Sequence, residues 1–284
     1  MNQAVAGLAG GGVYALIGVC LVLSYRVGAV INFSQTFTAT LAIFTMSEFI
    51  KHGWNLWMAI TAAVAMGAAI SAIQGLIMAR LFRDANVLIR STVSIAMAIS
   101  LIGLTTRIFP DRGNYSFPPL FSSFRLHVGD VVITGAVMAA IIGALGASVL
   151  LWLLLGRTRL GVILRAVSGR PTTAELMGVR TTALVAFVWA LAGGLTTAAM
   201  VLVAPVRRGV PNMALLVIPG LAAATVGAMR SFWRTIVGGI GLGMMESLAL
   251  NWGTIGNYRP TLAFVIVSAA LLWSQRKETW GEAR

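Results

Sequence analysis

The first 25 residues carry no charged side chain, and runs of the same kind recur almost to the end of the chain. They cover 27–47, 53–79, 91–106, 131–155, 181–206, 212–229, 235–251 and 260–275, and Glu246 is the one acid inside any of them. A hydrocarbon core about 30 Å thick takes roughly 20 helical residues to cross. In lipid every backbone polar group must be satisfied within the protein, which leaves helices or a closed barrel. Runs of this length and composition select helices. Composition agrees: 58% of the 284 residues are hydrophobic and 10% are charged, where a soluble domain carries about a quarter. The expected fold is an all-α polytopic membrane bundle of eight or nine segments, a single domain over 1–284.

The charges between the runs set the orientation. The net charge is +13, which could suggest nucleic acid. However, the basic residues fall singly or in small groups between apolar runs, so they read as topology determinants and not as a phosphate-binding face. Arg26, then Arg80, Arg83 and Arg90, then Arg230 and Arg234, then Arg276, Lys277 and Arg284 fall on one side. By the positive-inside rule that side is the cytoplasm, with the N-terminus outside and the C-terminus inside. The first run has no basic n-region, so it reads as a spanning helix and not as a cleaved signal. The run 91–106 is short, so Arg90 and Arg107 should snorkel. Pro219-Gly220 predicts a kink or break in 212–229. Residues 107–130, with Pro110, Pro118 and Pro119, form the longest outer connection.

The most patterned connection is 156–180, GRTRLGVILRAVSGRPTTAELMGVR. Its arginines place it inside. Leu160, Ile163, Leu164 and Val167 recur at near-helical spacing and predict a short amphipathic helix. Ser168-Gly169-Arg170-Pro171 breaks it. Pro171 then suits the first turn of a second short helix, with Thr172, Thr173 and Glu175 near its positive end and Gly178 as its stop. This is either a solvated loop that fixes orientation or a rigid docking surface for a cytoplasmic partner.

The loop also resembles a known one. Arg157-Thr158-Arg159-Leu160-Gly161, then Arg165-Ala166, then Ala174-Glu175-Leu176-Met177-Gly178-Val179 resemble the cytoplasmic loop of branched-chain amino-acid ABC permeases. The segment 11–23 (GGVYALIGVCLVL) is similar to that family's opening helix. Ile31-Asn32-Phe33-Ser34-Gln35 resembles its Ile-Asn-Phe signature, and Val226-Gly227, Gly238-Gly239 and Glu246 its Gly-rich late segment. The resemblance implies the membrane subunit of a binding-protein-dependent importer in the bacterial cytoplasmic membrane. A second permease subunit, identical or different, two ATPases and an external binding protein would complete it. ATP and Mg would sit on the ATPases, with no cofactor and no catalysis in this chain. Arg165, Pro171, Thr172, Thr173, Ala174, Glu175, Leu176, Met177 and Gly178 would then be the element that couples to the ATPase. Departures are present: the family's usual Gly-Glu after Gln35 is Thr36-Phe37, and a usual later Gly is Ala42. An aromatic or other small carboxylate, an amide or urea would suit the chain as well as a branched-chain amino acid.

Two features inside the runs are candidates for the solute route. Asn32, Thr36 and Thr40 recur at i, i+4 and i+8 with Gln35 beside them, a polar stripe unsuited to lipid. It is either a hydrated path or a polar seam between helices. Glu246 is a functional candidate because ionisable groups within a membrane are costly; a role in holding a neighbouring segment is its rival. Gly7 and Gly11 allow close helix approach. Cys20 can form no internal disulfide. His52 and His127 are isolated, so no metal constellation, P-loop or nucleophile–base set is apparent. The alternative class is a secondary transporter or channel, which predicts more intramembrane charge or an internal repeat than this chain carries.

Overall fold

The computed structural model describes residues 2–28, 30–110, 115–121, 124–128, 131–169, 171–205 and 209–249, with Thr261, Val265 and Ala269. The expected segment at 260–275 therefore lies outside the described residues, apart from these last three. Among the described residues the protein is helical except for one small hairpin. In chain order the elements are α1 (Asn2–Gly28), α2 (Gln35–Lys51), α3 (Leu56–Leu81), α4 (Val87–Ile108), β1 (Arg125–Val128), β2 (Val131–Thr134), α5 (Gly135–Arg157), α6 (Arg159–Gly169), α7 (Pro171–Leu176), α8 (Thr181–Val203), α9 (Val210–Ala214), α10 (Val217–Val226) and α11 (Phe232–Ala249). Among the described residues five stretches are long and apolar enough to cross a membrane: Gly10–Gly28, Leu56–Leu81, Val87–Ile108, Met138–Arg157 and Thr181–Val203.

Helix α1 occupies the middle. It touches α5, α8, α10 and α11, and from Val13 to Leu23 its residues are almost wholly buried. This follows from its lack of charge and its small residues. At Gly11 a Cβ would stand 2.8 Å from Ile240 Cα, and at Gly243 it would overlap the backbone of Gly7 and Gly11. Small residues four apart on both helices thus bring α1 and α11 into backbone contact. The α3–α8 pair uses the same device, with Gly67 against Thr197 and Gly193 against Ser71.

Several boundaries differ from the sequence expectation. The segment 27–47 is not one helix: α1 ends at Gly28, and α2 begins only at Gln35 and has 17 residues. At 1.5 Å per residue α2 is about 25 Å long. Asn32 lies in the break, where its side chain organises a turn that a continuous helix would lack. The run 91–106 is not short either, because α4 continues through both flanking arginines to 22 residues, about 33 Å. Arg90 does not reach outward; it folds back to donate to the carbonyls of Phe82 (2.9 Å) and Arg83. Residues 131–134 are a strand, not the start of a span: β2 pairs antiparallel with β1, Arg125 opposite Thr134. The break at Pro219 is present. The helical path stops after Ala214 and restarts at Val217, which leaves Pro219 in the first turn of α10, where its missing N–H costs little.

The connection after α4 packs back on α2 where it is described. Phe44 on α2 meets Phe109, Tyr115 and Phe117 edge-on or tilted. Ser116 N–H donates to Ser47 Oγ at 2.8 Å, and Lys51 lies 4.5 Å over the Tyr115 ring. The apolar faces of α3, α4 and α5 are exposed instead of buried, as at Ile73, Ile99 and Leu150.

Candidate functional site

Two groups of residues carry the site: a polar seam inside the bundle and a short helix at its arginine-rich end. The seam starts at the α1–α2 break. Asn32 Oδ1 accepts from Ser34 N–H at 3.1 Å, closing a local turn. Ser34 Oγ stands 2.8 Å from Asn32 Oδ1 and 3.1 Å from Gln74 Oε1, and its one proton serves one of them at a time. Thr38 Oγ1 also donates to Gln74 Oε1, at 3.2 Å, which ties α2 to α3. Gln35 Nε2 donates to Ile17 O at 3.1 Å on α1. Thr36 Oγ1 donates to Ala214 O at 2.8 Å, capping the broken end of α9, and Thr40 Oγ1 to Thr36 O at 2.7 Å. All of these side chains are buried.

The seam is not fully satisfied. Asn32 Nδ2 and Gln35 Oε1 are buried and have no hydrogen-bond partner among the described residues. An unpaired buried polar group costs about 1–3 kcal/mol, so a pure packing seam would be expected to pair both. Where α11 meets α1, Glu246 on α11 is buried and accepts from Tyr14 Oη at 2.8 Å on α1.

Sequence reasoning singled out Asn32, Gln35, Thr36, Thr40 and Glu246. The structure brings the first four together around the start of α2 and places Glu246 in the separate α1–α11 seam. It adds Ser34, Thr38, Gln74 and Tyr14, which were missed. A usable signal existed for Gln74, the one amide inside the apolar run 53–79 apart from Asn55 at its edge. Thr38 offered none, since it falls off the i, i+4 stripe.

At the arginine-rich end, α6 and α7 form the two short helices expected within 156–180. On α6, Leu164 and Val167 are buried, Ile163 is partly buried and Leu160 is exposed. Arg165 donates to Leu155 O and so anchors α6 to the end of α5. Helix α7 starts at Pro171 and ends where expected. Gly178 takes φ +85°, its N–H donates to Glu175 O at 2.8 Å, and Val179 N–H donates to Ala174 O at 3.1 Å. That bond pair is the Schellman ending, which favours glycine in the left-handed position. The side chains of Pro171 and Thr172 lie outside the described residues. Thr173 is exposed and Ala174 buried.

Glu175 faces back into the protein. Its carboxylate accepts from Arg83 in the α3–α4 connection and from Thr181 at the start of α8. The Thr181 hydroxyl holds its pKa below the ordinary carboxylate value; partial desolvation opposes this, and Arg83 adds to the lowering. Leu176 and Met177 point the other way, 85% and 81% exposed. Beside them lies an apolar hollow of about 470 Å³ lined by Leu160, Ile163, Val179, Leu184 and Phe187 among others.

The family model described as the permease component of branched-chain amino acid transport systems matches residues 3–273. The chain belongs to that family. The permease is 28% identical over 275 residues to the probable branched-chain amino acid transport permease protein LivH of Methanocaldococcus jannaschii, covering 90% of this chain and 85% of that one. Its fold is similar to that of a solved chain of PsaBC from Streptococcus pneumoniae in complex with Fab. There the TM-score is 0.50 at 17% identity, over 95% of this chain and 89% of the other. The permease is thus a multi-pass membrane protein and the permease subunit of an ABC importer.

Proposed function

We propose that the permease moves a small amino-acid-like solute and is driven by a cytoplasmic ATPase that docks on α7. The observation that carries this is the pair Leu176 and Met177. Two large apolar side chains stand in water at the tip of an arginine-rich loop, on a helix whose one acid is turned inward. Such a tip gains from being covered, and the adjoining apolar hollow gives the covering surface a second foothold. Arg165 and Pro171 to Gly178 would form the coupling element. The ATPase subunits would hold ATP and Mg, this chain would carry out no catalysis, and an external binding protein would deliver the solute to a pair of permease subunits. The arrangement requires the loop 156–180 on the cytoplasmic side, with nine segments across 1–284, the N-terminus outside and the C-terminus inside.

The solute would pass where α2 meets α1, α3 and α9. Asn32 Nδ2 offers a donor and Gln35 Oε1 an acceptor, both without partners in the closed seam, which suits an amino acid or a small amide. Thr36 and Thr40 would line the continuation, and Glu246 would hold α11 to α1 on its far side. The name of the archaeal relative supports a branched-chain amino acid; Thr36-Phe37 and Ala42 keep other small carboxylates and amides in contention.

The test is Leu176→Asp with Met177→Asp, made in the full transporter. We expect loss of ATP-dependent uptake and of co-purifying ATPase, with the permease still folded in the membrane. Normal uptake by the double variant would reject α7 as the docking element.

A further inference from the structure

At the inner end of the bundle, away from both the polar seam and α7, lies a cavity of about 620 Å³. Three arginines from three separate elements line it: Arg26 at the end of α1, Arg165 on α6 and Arg230 in the α10–α11 turn. Among the described residues that line it none is a carboxylate. Arg26 lies 5.3 Å over the Phe232 ring, and Arg165 is fixed by its bond to Leu155 O. The turn that carries Arg230 is itself unusual, with Ala228 and Met229 both in left-handed backbone at φ 49° and 53°. Such residues cost of order 1–2 kcal/mol each outside glycine, so the turn is held in place by its surroundings.

The other wall of the cavity is apolar and open. Trp152 and Leu155 of α5 line it, Trp152 is exposed, and Val149, Leu150 and Leu153 continue an exposed apolar face along the same helix. Arg157 lies 6.0 Å over the Trp152 ring, the pairing of an aromatic with a cation found where lipid meets water. A free anion would use the arginines and ignore this wall. A phospholipid would use both.

We propose that this cavity binds the phosphate-bearing headgroup of an anionic phospholipid of the inner leaflet, with the acyl chains along α5. Basic pockets between membrane helices on the cytoplasmic side are suited to such headgroups, and the volume lies within the about 300–1,000 Å³ of small-ligand sites. The lipid site rests on the cytoplasmic placement of the loop 156–180 and shares Arg165 with the coupling element; its readout is lipid binding and that of α7 is uptake, so the two readings fail separately.

The test is native mass spectrometry of the purified permease in neutral detergent, titrated with phosphatidylglycerol, with phosphatidylcholine and with inorganic phosphate. We expect phosphatidylglycerol to bind at least tenfold more tightly than phosphatidylcholine. That preference should fall at least tenfold in the Arg165→Gln, Arg230→Gln double variant and detectably in Arg230→Gln alone, whose exposed turn position leaves the helices in place. Arg234→Gln, outside the cavity, should bind as the parent does. Equal binding of both lipids, unchanged binding by the double variant, or full displacement of phosphatidylglycerol by millimolar inorganic phosphate would each overturn the proposal.

Discussion

Glu175 and Glu246 illustrate how much the partner of an acid decides about it. The Glu175 carboxylate latches α7 to Arg83 and Thr181. Its pKa is lowered in the folded state, so the latch contributes stability above the unfolded-state pKa and loses it as the pH falls through the folded-state value. A cysteine at Val179 should therefore label faster in Glu175→Gln than in the parent at neutral pH, and the difference should vanish once the pH is below the folded-state pKa. A constant ratio at all pH values would show that the latch does not depend on the charge. Glu246 works through Tyr14. Tyr14→Phe removes one donor from a buried carboxyl and should cost about 1–3 kcal/mol, seen as a lower melting temperature in detergent. Combined with Glu246→Gln the losses should be less than additive, because both changes touch one bond. From sequence, the acid at 246 was visible because it interrupts an apolar run. Its phenol partner was not, since a tyrosine within a membrane helix has no distinctive spacing and lies 232 residues away.

Among the elements, the α1–α11 seam gives a sharp contrast. Gly243 touches the α1 backbone, whereas a Cβ at Gly241 meets nothing within 4 Å. Gly241→Ala should be neutral or stabilising by up to about 1 kcal/mol, because alanine is the better helix former. Gly243→Ala should destabilise by about 1–3 kcal/mol through overpacking. Thermal unfolding in detergent reads both, and equal effects would mean that the helices do not meet through these glycines. The same physics explains which elements the sequence disclosed. Charge-free runs announced α1, α3, α5 and α8, and Pro171, Gly178 and Pro219 announced ends and breaks, because backbone geometry at proline and glycine is local. The α1–α2 break was hidden because Asn32 reads as a member of a helical stripe when its partner, Ser34, lies two residues on. The second strand of the hairpin was hidden at the start of an apolar run, although Gly129-Asp130 between the two strand sequences is a hairpin signal. Hydropathy alone does not separate a short apolar strand from the helix that follows it.

For the whole molecule, exposure and charge make a testable map. His52 lies in the exposed α2–α3 turn and Met177 at the tip of α7. Cys20 is fully buried, so the native thiol gives little background. Single cysteines at His52 and Met177, in a Cys20→Ala chain, should label from opposite sides of intact cells, with Met177 reacting only after permeabilisation. Labelling of both from outside would invert or abolish the orientation inferred from the arginines.

The central position of α1 also has a consequence for how the chain is made. Of the described helices, the earliest to be synthesised is the one with the least surface to offer lipid, and its closest neighbour, α11, is among the last of the described elements to emerge. At about 5–20 residues per second, the wait between Tyr14 and Glu246 is roughly 10–50 seconds. During that time the glycine face of α1 has no native match, and pairing it late is a non-local step of the kind that slows folding. A nascent permease is therefore most open to premature degradation or wrong helix partners before its C-terminal third arrives, and a chaperone or insertase that shelters the α1 face would shorten that exposure.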